Sequence, residues 1–266
     1  MGVGHGFLLA LMLWAGSGTG VLAAPPLRLT ILTEHAPPIS MLDDGHANGA
    51  DNLTGSVVGS GSDRVREVMA RAGVAYSIDL QPWKRAYTAA LTRPDTCVFS
   101  TTRTPEREPL FKWIGPLDRT EWFLLGRADR HHALATLEDA RKLRIGTYHG
   151  DARDAFLRER GFNVDPAQDD MINPQKLLLG RIDLWVASLR RSSAVLEQNG
   201  WTGKIVPVLS LKQVDVYLAC NVSVPDALVL RMNAAVEVIN RDGTMKKIDR
   251  RYETWQAPRP RAGGEP

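Results

Sequence analysis

Hydrophobic and polar positions along the chain switch repeatedly between a strand period and a helix period. Leu27–Leu32 (LRLTIL) reads as a buried strand, and the polar, Gly-, Pro-, Asn- and Ser-rich residues 33–62 read as loops. Within Asp63–Ala72, Val65, Val68, Met69 and Ala72 fall at i, i+3, i+4 and i+7, one face of a helix that Gly73 ends. Tyr76–Leu80 predicts a second strand, Trp83–Thr92 a helix and Thr96–Ser100 a third strand. The alternation then repeats. Trp122–Gly126, Leu143–Thr147, Asp183–Ala187, Ile205–Val208 and Val216–Cys220 read as strands. Between and after them, helices are predicted at Asp151–Arg160, from Asn173-Pro174 to Gly180, at Ser188–Asn199, at Pro225–Asn240 and at Thr244–Glu253. Thr136 and Asp139 have the spacing of a capping box, and Asn173-Pro174 that of a cap followed by proline at the first helical position. Strands separated by helices imply right-handed β-α-β units and hence an α/β protein built on mostly parallel sheets, in two units.

The N-terminus adds a compartment. Residues 1–23 contain no Asp, Glu, Lys or Arg, and Phe7–Ala15 (FLLALMLWA) is one apolar run followed by small residues up to Val21-Leu22-Ala23. That pattern predicts a signal peptide over 1–23, too short for a membrane span, and hence a soluble, exported protein. An oxidising compartment permits a disulfide between the chain's two cysteines, Cys97 and Cys220. Residues 257–266 (APRPRAGGEP) are expected to form a disordered tail. A net charge of +3 over 266 residues gives no reason to expect nucleic acid or an anionic membrane as partner, and two cysteines are too few for a structural zinc site. No GxSxG, phosphate-cradling Gly-rich loop or HExxH is present, so no catalytic residue, metal or cofactor is implied. His131-His132 read as a solvated loop pair.

The stretch 81–117 (QPWKRAYTAALTRPDTCVFSTTRTPEREPLFKWIGPL) carries the candidate chemistry. It places Arg107 just beyond a strand, where open α/β sheets bind ligands. An arginine there either grips a carboxylate through two parallel hydrogen bonds or pairs at the surface with Glu106 or Glu108. Together with Pro37-Pro38, LRIGTYHGD at 143–151, GRIDLWVAS at 180–188 and RDGTMKKIDRRY at 241–252, this stretch resembles the bacterial extracellular solute-binding proteins of family 3, the periplasmic receptors of polar amino acid ABC transporters. PWKRAY at 82–87 and RTPEREPLFKWIGP at 103–116 resemble a poorly characterised branch of it.

The resemblance implies the two-lobe periplasmic binding protein type II fold, with each lobe a mixed, mostly parallel sheet flanked by helices. Lobe one would comprise residues 25–117 and 216–256 and lobe two residues 121–210, with hinge connections at 118–120 and 211–215. A monomer would close on a small amino-acid-like ligand and deliver it to an inner-membrane ABC permease. The implied carboxylate anchor is Arg107, aided by Thr102 and Ser100, and the aromatic that packs on the ligand is Trp83, for which a plain core role is the alternative. At two positions the chain departs from the family. Asp151 stands where a Ser or Thr usually meets the carboxylate, and its alternative role is helix N-cap. Ser188 stands where an Asp usually receives the ammonium, and Asp183 has the wrong strand parity to replace it. Glu34, after the first strand, is then the candidate cation partner. The architecture also places the strands of Cys97 and Cys220 side by side, implying a disulfide. Two rival functions remain: a sensory component that reports ligand to a membrane receptor, and an exported dehydratase-like enzyme on the same fold.

Overall fold

The computed structural model describes residues 1–2, 27–43, 56–253 and 255. The expected signal peptide, beyond its first two residues, and the expected tail lie outside them. The strands are β1 (Arg28–Thr33), β2 (Met41–Leu42), β3 (Val57–Val58), β4 (Ala75–Leu80), β5 (Thr96–Thr102), β6 (Lys112–Arg127), β7 (Ile145–Tyr148), β8 (Val164–Ala167), β9 (Leu184–Ser188) and β10 (Ile205–Cys220). The helices are α1 (Ser60–Ala72), α2 (Trp83–Thr92), α3 (Ala152–Glu159), α4 (Asn173–Leu178), α5 (Leu189–Gln198), α6 (Asp226–Arg241) and α7 (Thr244–Glu253). All but β2 and β3 of the strands form one sheet in the order β4-β1-β5-β10-β6-β9-β7-β8. Strand β1 runs parallel to β4 and β5, and β7 parallel to β8 and β9. The central pair β6 and β10 is antiparallel to each other and to the outer strands that they join.

Each half of the sheet is packed on both faces, and strand parity decides which residue goes where. In the first half, Leu29, Ile31, Cys97 and Leu218 pack with Val65, Val68 and Met69 of α1 and Met232 and Val236 of α6. Their neighbours Leu32, Val98 and Ala219 face the other way, onto Trp83, Ala86 and Ala90 of α2. The second half repeats the rule. Leu124, Leu184 and Val186 pack with Leu157 of α3, whereas Leu125, Trp185 and Ala187 pack with Leu177 of α4 and Leu196 of α5. Cys97 and Cys220 sit directly opposite each other on β5 and β10 and are joined in a disulfide, fully buried.

Four local expectations are revised. The segments expected as separate strands at 122–126, 205–208 and 216–220 belong to two 16-residue strands, β6 and β10. These run without a break through 118–120 and 211–215, where Asp118, Arg119 and Thr120 pair with Val216, Asp215 and Val214. Mutual backbone pairing carries both connections across, and register shifts at 210–212 and 216–218 bracket the crossing. Strand β8, a four-residue Val-Asp-Pro-Ala segment interrupted by Pro166, is too short to carry an alternating signal, and it forms as an edge paired only to β7. The stretch 33–62 holds the β2–β3 pair and the first turn of α1 as well as loop. Asn173 does not cap α4. It is the first helical residue, and its side-chain amide donates to the Thr147 carbonyl (2.8 Å) and Asp170 Oδ1 (3.1 Å). The Thr136–Asp139 capping box is present, opening a short 3₁₀ turn at Leu137–Ala140.

Candidate functional site

A cavity of about 90 Å³ lies between the two halves of the sheet, beside the crossing strands. Hydroxyls of Thr33, Ser40, Ser100, Thr102, Thr120 and Ser188 line it, with the rings of Phe99, Trp122 and Tyr148. The first half brings its residues there through a β-bulge. Phe99 and Ser100 of β5 together oppose Leu218 of β10, and Ser100 takes a left-handed backbone with φ 59°. A non-glycine residue in that conformation costs about 1–2 kcal/mol. The bulge overrides strand alternation and delivers two consecutive residues, Phe99 and Ser100, to the same wall.

Two buried arginines organise the charge. Arg153, in the first turn of α3, binds Asp151 Oδ1 (2.6 Å) and Asp170 Oδ2 (3.2 Å), donates to the Val186 carbonyl (3.2 Å) and lies over the Tyr148 ring. Burial alone would lower the Arg153 pKa, but the two carboxylates outweigh it and hold the guanidinium charged. Burial alone would raise Asp151, yet Arg153 and then Arg107 keep it below the usual carboxylate range. Asp170 is itself held by Trp185 Nε1 (2.8 Å) and Asn173, so the pair rests on a fixed base. Arg64 of α1, 2% exposed, binds Asp118 (2.7 Å) at the crossing and Asp249 of α7. Buried ions of this kind are held only where partners compensate lost hydration.

The halves are clasped at Gly150, between β7 and α3. Its carbonyl accepts from Trp83 Nε1 (3.0 Å) and from Arg107 Nη2 (2.9 Å). Tyr148 donates its hydroxyl to Glu34 Oε1 across the same gap (3.0 Å). A row of rings, Trp83–Tyr87–Phe111–Trp113–Tyr217, supports this edge of the first half, with centroids 5.3–5.8 Å apart. The Arg107 guanidinium lies over Tyr87 (4.8 Å), and Arg103 over Trp113 and Tyr217. PWKRAY and the FKW of the second motif are therefore two parts of one aromatic–arginine cluster.

The structure gathers Glu34, Ser100, Thr102, Asp151 and Ser188 on the cavity wall. Trp83 lies outside it, on an adjoining groove shared with Glu34 and Tyr148. Arg107 is not among the residues lining the cavity. It stands behind Thr102, donating to that residue's carbonyl (3.3 Å) and to Gly150. Asp151 also caps α3, accepting from the Arg153 amide (2.8 Å). Sequence reasoning missed Arg64, Asp118, Arg153 and Tyr148. Arg153 left one signal: a cation in the first turn of a helix opposes the helix dipole and so calls for a dedicated partner. Arg64 left another, since it lies four residues before Val68, beside the apolar stripe.

No protein-family model and no curated protein sequence matches the chain. Solved structures do. A histidine kinase sensor domain with similarity to periplasmic binding proteins superposes with TM-score 0.76 at 16% identity, covering 88% of this chain and 99% of that one. The P235GK mutant of ArgBP from T. maritima gives TM-score 0.72 at 18% identity, over 86% of this chain and 96% of the other. The fold is that of the two-lobe periplasmic binding proteins. The substrate binding protein of an amino acid ABC transporter also matches, with TM-score 0.68 at 14% identity over 86% and 100% of the two chains. These neighbours are binding proteins and a sensor domain rather than enzymes. Among the described residues no helix is long and apolar enough to cross a membrane, and no group of three or more His, Cys, Asp or Glu is placed to hold a metal ion.

Proposed function

We propose that the protein is a periplasmic solute-binding protein that captures a small polar, amino-acid-like ligand between its lobes and delivers it to an inner-membrane ABC permease. The observation that carries this reading is the polar cavity walled by both lobes and closed by hydrogen bonds that cross between them at Gly150 and Tyr148. Cavity residues come from strands, loops and first helical turns of both halves, so the site is complete only when the halves meet, as hinge-closing receptors require. The lobes are residues 25–117 with 216–256 and residues 121–210, and the bracketed crossing in β6 and β10 is the hinge. Ser100, Thr102, Ser188 and Glu34 are the ligand's hydrogen-bonding partners. Asp151, neutralised by Arg153, does not repel a ligand carboxylate as an unpaired carboxylate would.

A thermal-shift screen of amino acids, polyamines and organic acids tests the reading. A ligand that binds only the folded protein raises Tm by an amount set by RT ln(1 + [L]/Kd). A concentration-dependent rise without consumption of the compound is the expected result; steady turnover of the compound, or no stabilisation by any of them, refutes it. A second reading is favoured by one observation, the match to a kinase sensor domain. In that case the ligand-loaded protein would bind a membrane receptor rather than a permease, which capture from detergent-solubilised membranes separates.

A further inference from the structure

We propose that the ligand site has two compartments and takes an amino acid extended through an amide bond, a dipeptide or an N-acyl amino acid, rather than a free amino acid. The inference rests on the ligand-capture reading above and deepens it. The inner cavity, at about 90 Å³, is smaller than the roughly 150 Å³ void that holds one benzene. It has room for a polar head group and not for a whole amino acid with its side chain. Directly outside it lies a groove of about 660 Å³, within the usual range for small-molecule sites. The two spaces share two residues, Glu34 and Tyr148, whose hydrogen bond forms the partition between them.

The walls of the outer groove differ in chemistry from those of the inner cavity. Leu80, Pro82 and Trp83 from the first lobe give it an apolar side, and Gln81 and Gln168 add two carboxamides, one from each lobe. A carboxamide both donates and accepts, which matches the N–H and C=O of an amide group. The Trp83 ring is already fixed, by its bond to Gly150 and its packing on Tyr87, so it offers a rigid face with little ordering cost. A ligand seated with its charged head among the inner hydroxyls and its amide and second substituent between Leu80 and Gln168 would fill both spaces. The lobes could then close while the ligand passes the Glu34–Tyr148 partition.

Calorimetric titration of the full chain with three pools tests this: free amino acids, dipeptides and N-acyl amino acids. The expected result is that the best dipeptide or N-acyl amino acid binds at least tenfold more tightly than the best free amino acid. Leu80→Asp then weakens that ligand at least tenfold, and the exposed Gln168→Ala weakens it severalfold. The second variant guards against misfolding of the first. The bipartite site is overturned, and simple amino-acid capture retained, if free amino acids bind as tightly as every extended compound. It is equally overturned if neither variant changes the affinity for an extended ligand. Absence of binding by all three pools overturns both this inference and the reading it rests on. The dipeptide and N-acyl arms show which source supplies the amide.

Discussion

Arg107→Met isolates the clasp that holds the lobes together. The Arg107 guanidinium makes two hydrogen bonds, one to Thr102 in its own lobe and one of 2.9 Å to Gly150 in the other. Opening breaks only the second. A hydrogen bond to a charged group contributes about 1.5–3 kcal/mol, and each 1.4 kcal/mol is a factor of ten. Methionine keeps the apolar stem against Tyr87 while removing the donor, so packing loss is small. The ratio of closed to open molecules should therefore fall about ten- to hundredfold. Where the wild-type ratio is below about ten, the variant becomes mostly open without ligand, and every ligand binds more weakly by the factor lost from the closed fraction. Small-angle scattering of the ligand-free protein measures the opening, and calorimetry measures the affinity. The refuting result is specific: an unchanged radius of gyration combined with loss of binding only for ligands that bear a carboxylate. Arg107 would then be the carboxylate anchor that the family resemblance implies, and the contact with Gly150 would be incidental.

Three further outcomes follow from the same geometry. Asp151→Asn should lower stability by about 2–3 kcal/mol in urea unfolding at pH 7, since it leaves buried Arg153 with Asp170 as its one remaining carboxylate partner. Because the folded pKa of Asp151 is depressed, its contribution is fully present above the unfolded value near 3.9 and is lost as pH falls through the lower folded value. The difference between wild type and variant should therefore shrink below about pH 4, and a difference that is constant down to pH 2 would refute the pairing. Replacing both cysteines by alanine should cost about 2–5 kcal/mol, because the bridge closes a loop with a sequence separation of 123, and the denatured, unreduced wild type should titrate no free thiol. Gly59→Ala should destabilise the protein by at least about 1–3 kcal/mol and weaken ligand binding: Gly59 has φ 127°, and a Cβ there would lie 2.4 Å from the carbonyl oxygen of Ile39, whose side chain and neighbour Ser40 line the cavity. Wild-type stability and affinity in that variant would count against the close approach.

The halves of the molecule were legible wherever one residue's environment is set by its near neighbours. The Val65–Val68–Met69–Ala72 stripe, the Asp151 cap and the Thr136–Asp139 box need only the helix period and the unpaired amides of a helix start, so periodicity and capping chemistry located them. Leu27–Leu32 was legible as a buried strand, and the fold then splits Leu29 and Ile31 from Leu32 by strand parity.

The site was less legible because its decisive features are contacts between residues far apart in sequence. Ser100 and Phe99 share a wall only through a bulge against Leu218, and bulges break the alternation from which facing is read. Arg64 and Arg153 are surface residues by type, and it is Asp118 with Asp249, and Asp151 with Asp170, that make their burial tolerable. Arg107 is a lobe clasp solely because Gly150, 43 residues away, arrives at its guanidinium. By itself, then, the sequence determined most of the α/β elements and the apolar faces of the helices, since these follow from local periods, while the pairing of Cys97 with Cys220 rested on the strand order that the family resemblance implied. The tertiary structure decided which charges are neutralised and which groups meet across the cleft. Those depend on a few ångströms of separation between the lobes, and no spacing along the chain encodes that distance.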